Sequence, residues 1–217
     1  MTATLYLDVI SSWCFWMEPA WARLRSEFGD RVAFRWKVAL MDPTGLPVSR
    51  NQLEWFYNRS GVLTRSPVRL DSSWYRPELP EYLAPNLVAE AAKDFGIEDD
   101  RARLAIARAA LLGGRPVADW QESAAVASRA CDLDPGELLH RARTPEIEAR
   151  ARAATAEFHA LGFRQRPAVV LENGIGDRAT FSGLVSHAPL AATLTALLED
   201  EAAYRSYAAH HGGPPAA

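Results

Sequence analysis

Cysteine is scarce in this 217-residue chain, with Cys14 and Cys131 the only two. Two thiols cannot build a disulfide framework or a structural zinc site. Long apolar runs are missing too, so no transmembrane helix is expected. The opening MTATLYLDVI has no basic stretch ahead of its apolar residues, which argues against a secretory signal. The expected compartment is the reducing cytoplasm, where a Cys14–Cys131 bridge would not persist. Charge of either sign is not in large excess: 24 Lys and Arg against 27 Asp and Glu give −3, which offers a nucleic-acid polyanion nothing to bind. His140, His159 and His187 fall in no metalloprotease spacing, and neither Gly113-Gly114 nor Gly212-Gly213 sits in a phosphate-loop motif. Neither a metal nor a nucleotide cofactor is therefore expected. Lysine occurs only at 37 and 93; the arginine and alanine bias has the look of a GC-rich bacterial genome.

What is present is ordinary for a globular protein: 48% hydrophobic and 24% charged residues. Residues 4–10 (TLYLDVI) read as a buried strand. Ser11-Ser12 then offer hydroxyls for a helix N-cap. Trp13, Trp16, Met17, Trp21, Leu24 and Phe28 recur at helical spacing, with Gly29 as the stop. Residues 32–40 read as a second strand, and a connection of this length favours a parallel pair. Proline-rich loops at 42–48 and 76–85 flank helical patterns near 49–58, 84–95, 101–113, 117–131 and 145–161. Asp134-Pro135 and Thr144-Pro145 have the form of helix starts. Strands return at 168–172 and 178–182, joined through Asn173-Gly174 as an antiparallel hairpin. A last helix runs from about residue 188 to 199 or beyond.

The order βαβ, helical block, ββα predicts an α/β thioredoxin-like fold with an all-helical insertion. The expected division is a thioredoxin-like domain of residues 1–41 and 162–209, an inserted helical domain of residues 42–161, and a flexible tail at 210–217. Asp8-Val9-Ile10-Ser11-Ser12-Trp13-Cys14-Phe15, at the junction of first strand and first helix, resembles the D-x-x-C-x-W-C-aromatic pattern of the DsbA-like branch of the thioredoxin superfamily. That branch includes disulfide isomerases, 2-hydroxychromene-2-carboxylate isomerases, kappa-class glutathione transferases and oxidoreductase-like proteins of polyketide pathways. Arg166-Pro167-Ala168-Val169-Val170 is similar to the family's cis-proline segment. The resemblance spans essentially the whole chain. It is more specific for fold than for reaction.

Ser11 stands where a dithiol oxidoreductase has its first cysteine. A hydroxyl cannot form the mixed disulfide on which dithiol exchange depends. Serine at this position is what the transferase and isomerase members show, where it hydrogen-bonds the sulfur of bound glutathione. The resemblance thus implies catalytic roles for Ser11 and Cys14: a hydroxyl holding a thiolate or oxyanion, and a thiol whose pKa a helix N-terminus can lower. For Ser11 a plain N-cap is compatible with this role; for Cys14 inert packing is the alternative. Trp13, Arg166, Pro167, Trp55 and Trp74 are the expected substrate-binding residues, the last two as part of an aromatic lid from the insert. Three functions stay open. One is cis–trans isomerisation of a conjugated polyene or enoyl small molecule by reversible thiol addition, in polyketide or other secondary metabolism, with an acyl carrier protein as a candidate partner. The second is a transferase or oxidoreductase using glutathione or mycothiol. The third is a non-catalytic binding protein. The isomerase would require no redox cofactor, and a homodimer fits the family.

Overall fold

A computed structural model describes residues 1–213. Its strands are β1 (Thr2–Leu7), β2 (Ala33–Val38), β3 (Ala168–Glu172) and β4 (Arg178–Ser182), in one sheet of order β2-β1-β3-β4. β1 and β2 run parallel, with Thr2 opposite Ala33; β1–β3 and β3–β4 are antiparallel. The crossover from β1 to β2 is α1 (Ser12–Phe28). Between β2 and β3 lie α2 (Arg50–Thr64), α3 (Leu83–Ala92), α4 (Arg101–Leu111), α5 (Trp120–Cys131), α6 (Pro135–Ala142) and α7 (Pro145–Ala160). The final helix, α8, spans His187–His211. This is the α/β thioredoxin-like arrangement, with α2 to α7 inserted between the two halves of the sheet.

The sheet is covered on both faces, and strand periodicity sorts its side chains. Ala3, Leu5 and Leu7 of β1, with Val169 and Leu171 of β3, face one core with Met17, Trp21 and Leu24 of α1 and Leu190 and Leu194 of α8. Tyr6, Ala168 and Val170 face the other way, onto Phe158 of α7 and Phe163. With both faces covered, β1 reads as a continuous apolar run rather than an alternating one.

Three expectations shift for local reasons. β1 ends at Leu7 rather than Ile10, because the Asp8 carboxylate accepts from the Ile10 amide and the Asp8 carbonyl from the Ser11 amide, turning the chain. In α1 the buried stripe runs through Cys14, Met17, Trp21, Leu24 and Phe28; Trp13 and Trp16 are only half-buried. The tail expected from residue 210 is still helical at His210 and His211, and residues 214–217 lie outside the described residues. Asp134 caps α6 as its sequence suggested, accepting from the Glu137 amide at 2.8 Å with Pro135 at the first position. No helix among the described residues is long and apolar enough to cross a membrane.

Phe158 is fully buried and is the main apolar cover of its face of the sheet. Phe158→Ala is expected to lower unfolding free energy by about 3–5 kcal/mol, read from urea denaturation midpoints at unchanged m-value.

Candidate functional site

The turn after β1 carries the polar groups that aim the first helix. Asp8 is 2% exposed and Asn86, on α3, is 0% exposed. The Asp8 carboxylate accepts from the Ile10 amide (3.1 Å), the Met41 amide (3.0 Å) and the Asn86 carboxamide (3.0 Å). Asn86 returns an acceptor to the Val9 amide at 3.0 Å and donates to the Tyr82 carbonyl at 3.1 Å. One pair of side chains thus ties the β1–α1 turn to the end of β2 and to the inserted helices. Burial pushes the Asp8 carboxyl up, while these hydrogen bonds and the Arg166 charge oppose the rise.

Ser11 is the N-cap of α1, its Oγ accepting from the Cys14 amide at 3.4 Å. Among the described residues no partner takes the amides of Ser12 and Trp13. Two free N–H groups at a helix start favour an anion there. Cys14 lies one turn further in and is 3% exposed. Burial pushes its thiol up to about 12, against the lowering effect of the Ser11 hydroxyl. The depressed thiol expected from its place near a helix N-terminus is therefore absent: the side chain points into the core with Met17 and Trp21, and desolvation of a thiolate outweighs the helix field. Cys131 is also buried and unbridged.

A cleft of about 540 Å³ opens over the N-terminus of α1. Ser11, Trp13, Asp42, Arg59, Arg164 and Arg166 are among its lining residues; Cys14 is not. Three arginines face one carboxylate, and the Asp42 carboxylate is held low by hydrogen bonds from Thr44. Arg59 spreads over Trp13 (5.7 Å), Trp55 (5.2 Å) and Phe56 (5.7 Å), an aromatic bed that keeps the cation exposed. Arg166, expected as a substrate ligand, lines the cleft but commits two of its nitrogens to the Ala39 and Leu40 carbonyls. It fastens its loop to the end of β2. The Arg166–Pro167 bond is cis, and Pro167 is buried behind the lining.

The two lid tryptophans part company. Trp55 is 56% exposed and packs on Arg59, but it does not itself line the cleft. Trp74 is 2% exposed; its indole donates to the Tyr57 hydroxyl at 3.0 Å and its ring packs on Tyr75 and Tyr82. It is core of the helical block, not a substrate contact, because the proline-rich loop folds inward. Sequence reasoning missed Arg59, Arg164 and Asn86. Arg59 follows Trp55 and Phe56 at i+4 and i+3, a spacing that could have found it; Asn86 has no local signal.

No family model matches the sequence, and no curated protein matches it. Solved structures do. A probable DsbA oxidoreductase from Streptomyces coelicolor superposes with TM-score 0.72 at 18% identity, over 92% of this chain and 90% of that one. The cytosolic disulfide reductase DsbM from Pseudomonas aeruginosa gives 0.68 at 18% identity, over 84% and 89%, and is also known in a structure with GSH. A 2-hydroxychromene-2-carboxylate isomerase gives 0.64 at 14% identity, over 94% and 99%. At these identities the likeness is one of fold, the DsbA-like thioredoxin fold.

Two outcomes check this geometry. Asn86→Ala strands the Val9 amide and part of the Asp8 carboxylate in the core; the expected loss is on the order of 3 kcal/mol, measured by urea denaturation. Native Cys131→Ser protein should resist iodoacetamide from pH 7 to 9, with rapid labelling of Cys14 only after denaturation, followed by intact mass.

Proposed function

We propose that this chain is a cytoplasmic, thiol-dependent isomerase that interconverts cis and trans forms of a conjugated, carbonyl-bearing small molecule. The observation that carries the reading is that Ser11, not Cys14, meets the arginine-lined cleft. A nucleophilic Cys14 would need exposure and a reachable thiolate, and it has neither. The residues present fit a small thiol such as glutathione or mycothiol: a hydroxyl and two free amides for a sulfur anion, and arginines for its carboxylate or polar end. The P. aeruginosa neighbour with GSH gives the same class of ligand to a related fold. The substrate would be free or presented on an acyl carrier protein, in polyketide or other secondary metabolism. Residues 1–41 and 162–209 would form the catalytic half, and residues 42–161 the helical cover that contributes Arg59.

When bound, the thiol supplies reversible conjugate addition, in which the S–C bond that forms is the one that later breaks, so no oxidant or reductant is consumed. Ser11 donates its hydroxyl hydrogen to the sulfur while its oxygen keeps the Cys14 amide. The amides of Ser12 and Trp13 hold negative charge at the helix start. Arg59 and Arg164 orient the anionic end of the thiol or the substrate and lower the cost of charge developing on the carbonyl oxygen. Trp13 offers a flat face to a conjugated chain.

The test is isomerisation of a cis-dienoyl N-acetylcysteamine thioester, followed by chromatography with and without added glutathione or mycothiol. Turnover is expected only with thiol. Ser11→Ala should lower kcat by about 10- to 100-fold at saturating thiol, the worth of one hydrogen bond to a charged group, while Cys14→Ala keeps turnover. Loss of turnover in Cys14→Ala without any thiol requirement would instead make Cys14 the nucleophile. Accumulation of a stable thioether would make the chain a transferase.

A further inference from the structure

The outer face of α2 is not used in the reading above. The inner face is bonded down: Leu53, Tyr57 and Ser60 are buried. The Ser60 hydroxyl accepts from the Trp16 indole at 3.0 Å, the Tyr57 hydroxyl from the Trp74 indole at 3.0 Å, and the Glu54 carboxylate from the Ser72 hydroxyl at 2.9 Å. On the opposite side Asn51, Trp55, Asn58, Arg59 and Val62 recur at helical spacing with Leu63 beside them, and all six are exposed. With Val48 ahead of the helix and Val68 beyond it, five of the ten exposed large hydrophobic side chains among the described residues fall within residues 48–68. Scattered singly they would need no explanation; gathered they mark an interaction surface. The same stretch is cationic. Residues 50–69 hold Arg50, Arg59, Arg65 and Arg69 against Glu54 alone, and among the described residues none of these arginines forms an ion pair. Asp42 and Asp71, just outside the stretch, are held by Thr44 and Ser73, and Asp71 also feels the Arg50 charge. Arg59 lines the cleft at Ser11, so whatever sits on α2 sits at the edge of that cleft.

We propose that this face docks an acidic helical surface of the protein that carries the substrate as a thioester. The proposal rests on the reading of the Ser11 cleft as the place where a carbonyl-bearing substrate reacts, and it narrows that substrate from free or carried to carried. Three features choose this occupant. The unpaired charge is of one sign, so the partner is acidic. The anchors are Trp55 and Arg59, already packed at 5.2 Å; these residue types dominate protein–protein hot spots, and a bonded-down helix lowers the cost of ordering them. The face is a ridge one helix wide, which packs into the groove between side chains of another helix. A second copy fits less well, because a two-fold contact through this face brings cation onto cation. A lipid surface fits less well too: an interfacial helix keeps its charges off its apolar side, and here Arg59 lies between Trp55 and Val62.

The test titrates the full-length protein into a dye-labelled acyl carrier protein bearing a saturated acyl thioester, followed by fluorescence anisotropy at low and at half-molar salt. Binding is expected at micromolar protein and should weaken about tenfold in the higher salt. Trp55→Ala and Val62→Asp, both at exposed positions that do not line the cleft, should each weaken it by about tenfold or more. Arg59→Glu should weaken it further at low salt than at high. A saturated thioester cannot isomerise, so no turnover enters the measurement. Failure of the isomerase assay with this pattern intact would therefore sink the reaction and not the docking face. Where the free thioester is turned over, Val62→Asp should leave its rate unchanged. Absence of carrier binding, or binding indifferent to salt and to both substitutions, would overturn the proposal. So would sedimentation showing a dimer that Val62→Asp dissociates, since the face would then meet a second copy. Binding to phosphatidylglycerol vesicles that Val62→Asp abolishes, with the carrier ignored, would assign the face to a lipid surface instead.

Discussion

The hydrogen-bonded pair of Asp8 and Asn86 ties together three parts of the chain: the turn leaving β1, the segment after β2 at Met41, and α3 of the inserted block. Both side chains are buried, and every bond between them replaces water that the core excludes. A satisfied network of this kind is stiff, and a half-satisfied one is costly. Its consequence is positional. With Val9 and Ile10 pinned, Ser11 can only begin the helix, its hydroxyl over the first turn, and the inserted block is held where α2 brings Arg59 across Trp13. The cleft is the space left between parts fixed by that pair.

The same geometry decides between the two candidate nucleophiles. A helix N-terminus stabilises an anion by roughly 0.3–1 kcal/mol, under one pKa unit at 1.36 kcal/mol per unit. Burial of a thiolate acts in the opposite direction and by several units. At Cys14 the second effect wins, because the side chain points from the third helical position into the sheet. Ser11 meets no such conflict: its neutral hydroxyl lines the cleft. Serine at the first position therefore leaves the cleft lined by a hydroxyl and not by a sulfur of the protein.

Much of this was legible in the sequence. The βαβ and ββα halves announced themselves through short apolar runs, Ser11 through its place ahead of an apolar helix, α6 through Asp134-Pro135, and the loop before β3 through Arg166-Pro167. What was not legible depends on contacts far apart in the chain. Asn86 lies 78 residues from Asp8, and a carboxamide in a helix carries no pattern that names its partner. Trp55 and Trp74 are equivalent as letters in an aromatic stretch; one faces solvent beside a cation, and the other donates to Tyr57 inside the block. The proximity of Cys14 to a helix start was visible, whereas its burial, which governs the thiol, is a tertiary property.

The most direct measurement of the central claim, that Ser11 and the helix start hold an external thiolate while Cys14 stays neutral, is ultraviolet absorbance of the thiolate near 240 nm during a pH titration. It would be made on the Cys131→Ser protein alone and with stoichiometric glutathione. The account predicts no thiolate from the protein alone below about pH 10, and a new one on adding glutathione, titrating well below the free-thiol value of about 8.5 and returning toward it in Ser11→Ala. A thiolate that titrates near neutrality without glutathione and vanishes in Cys14→Ala would contradict it.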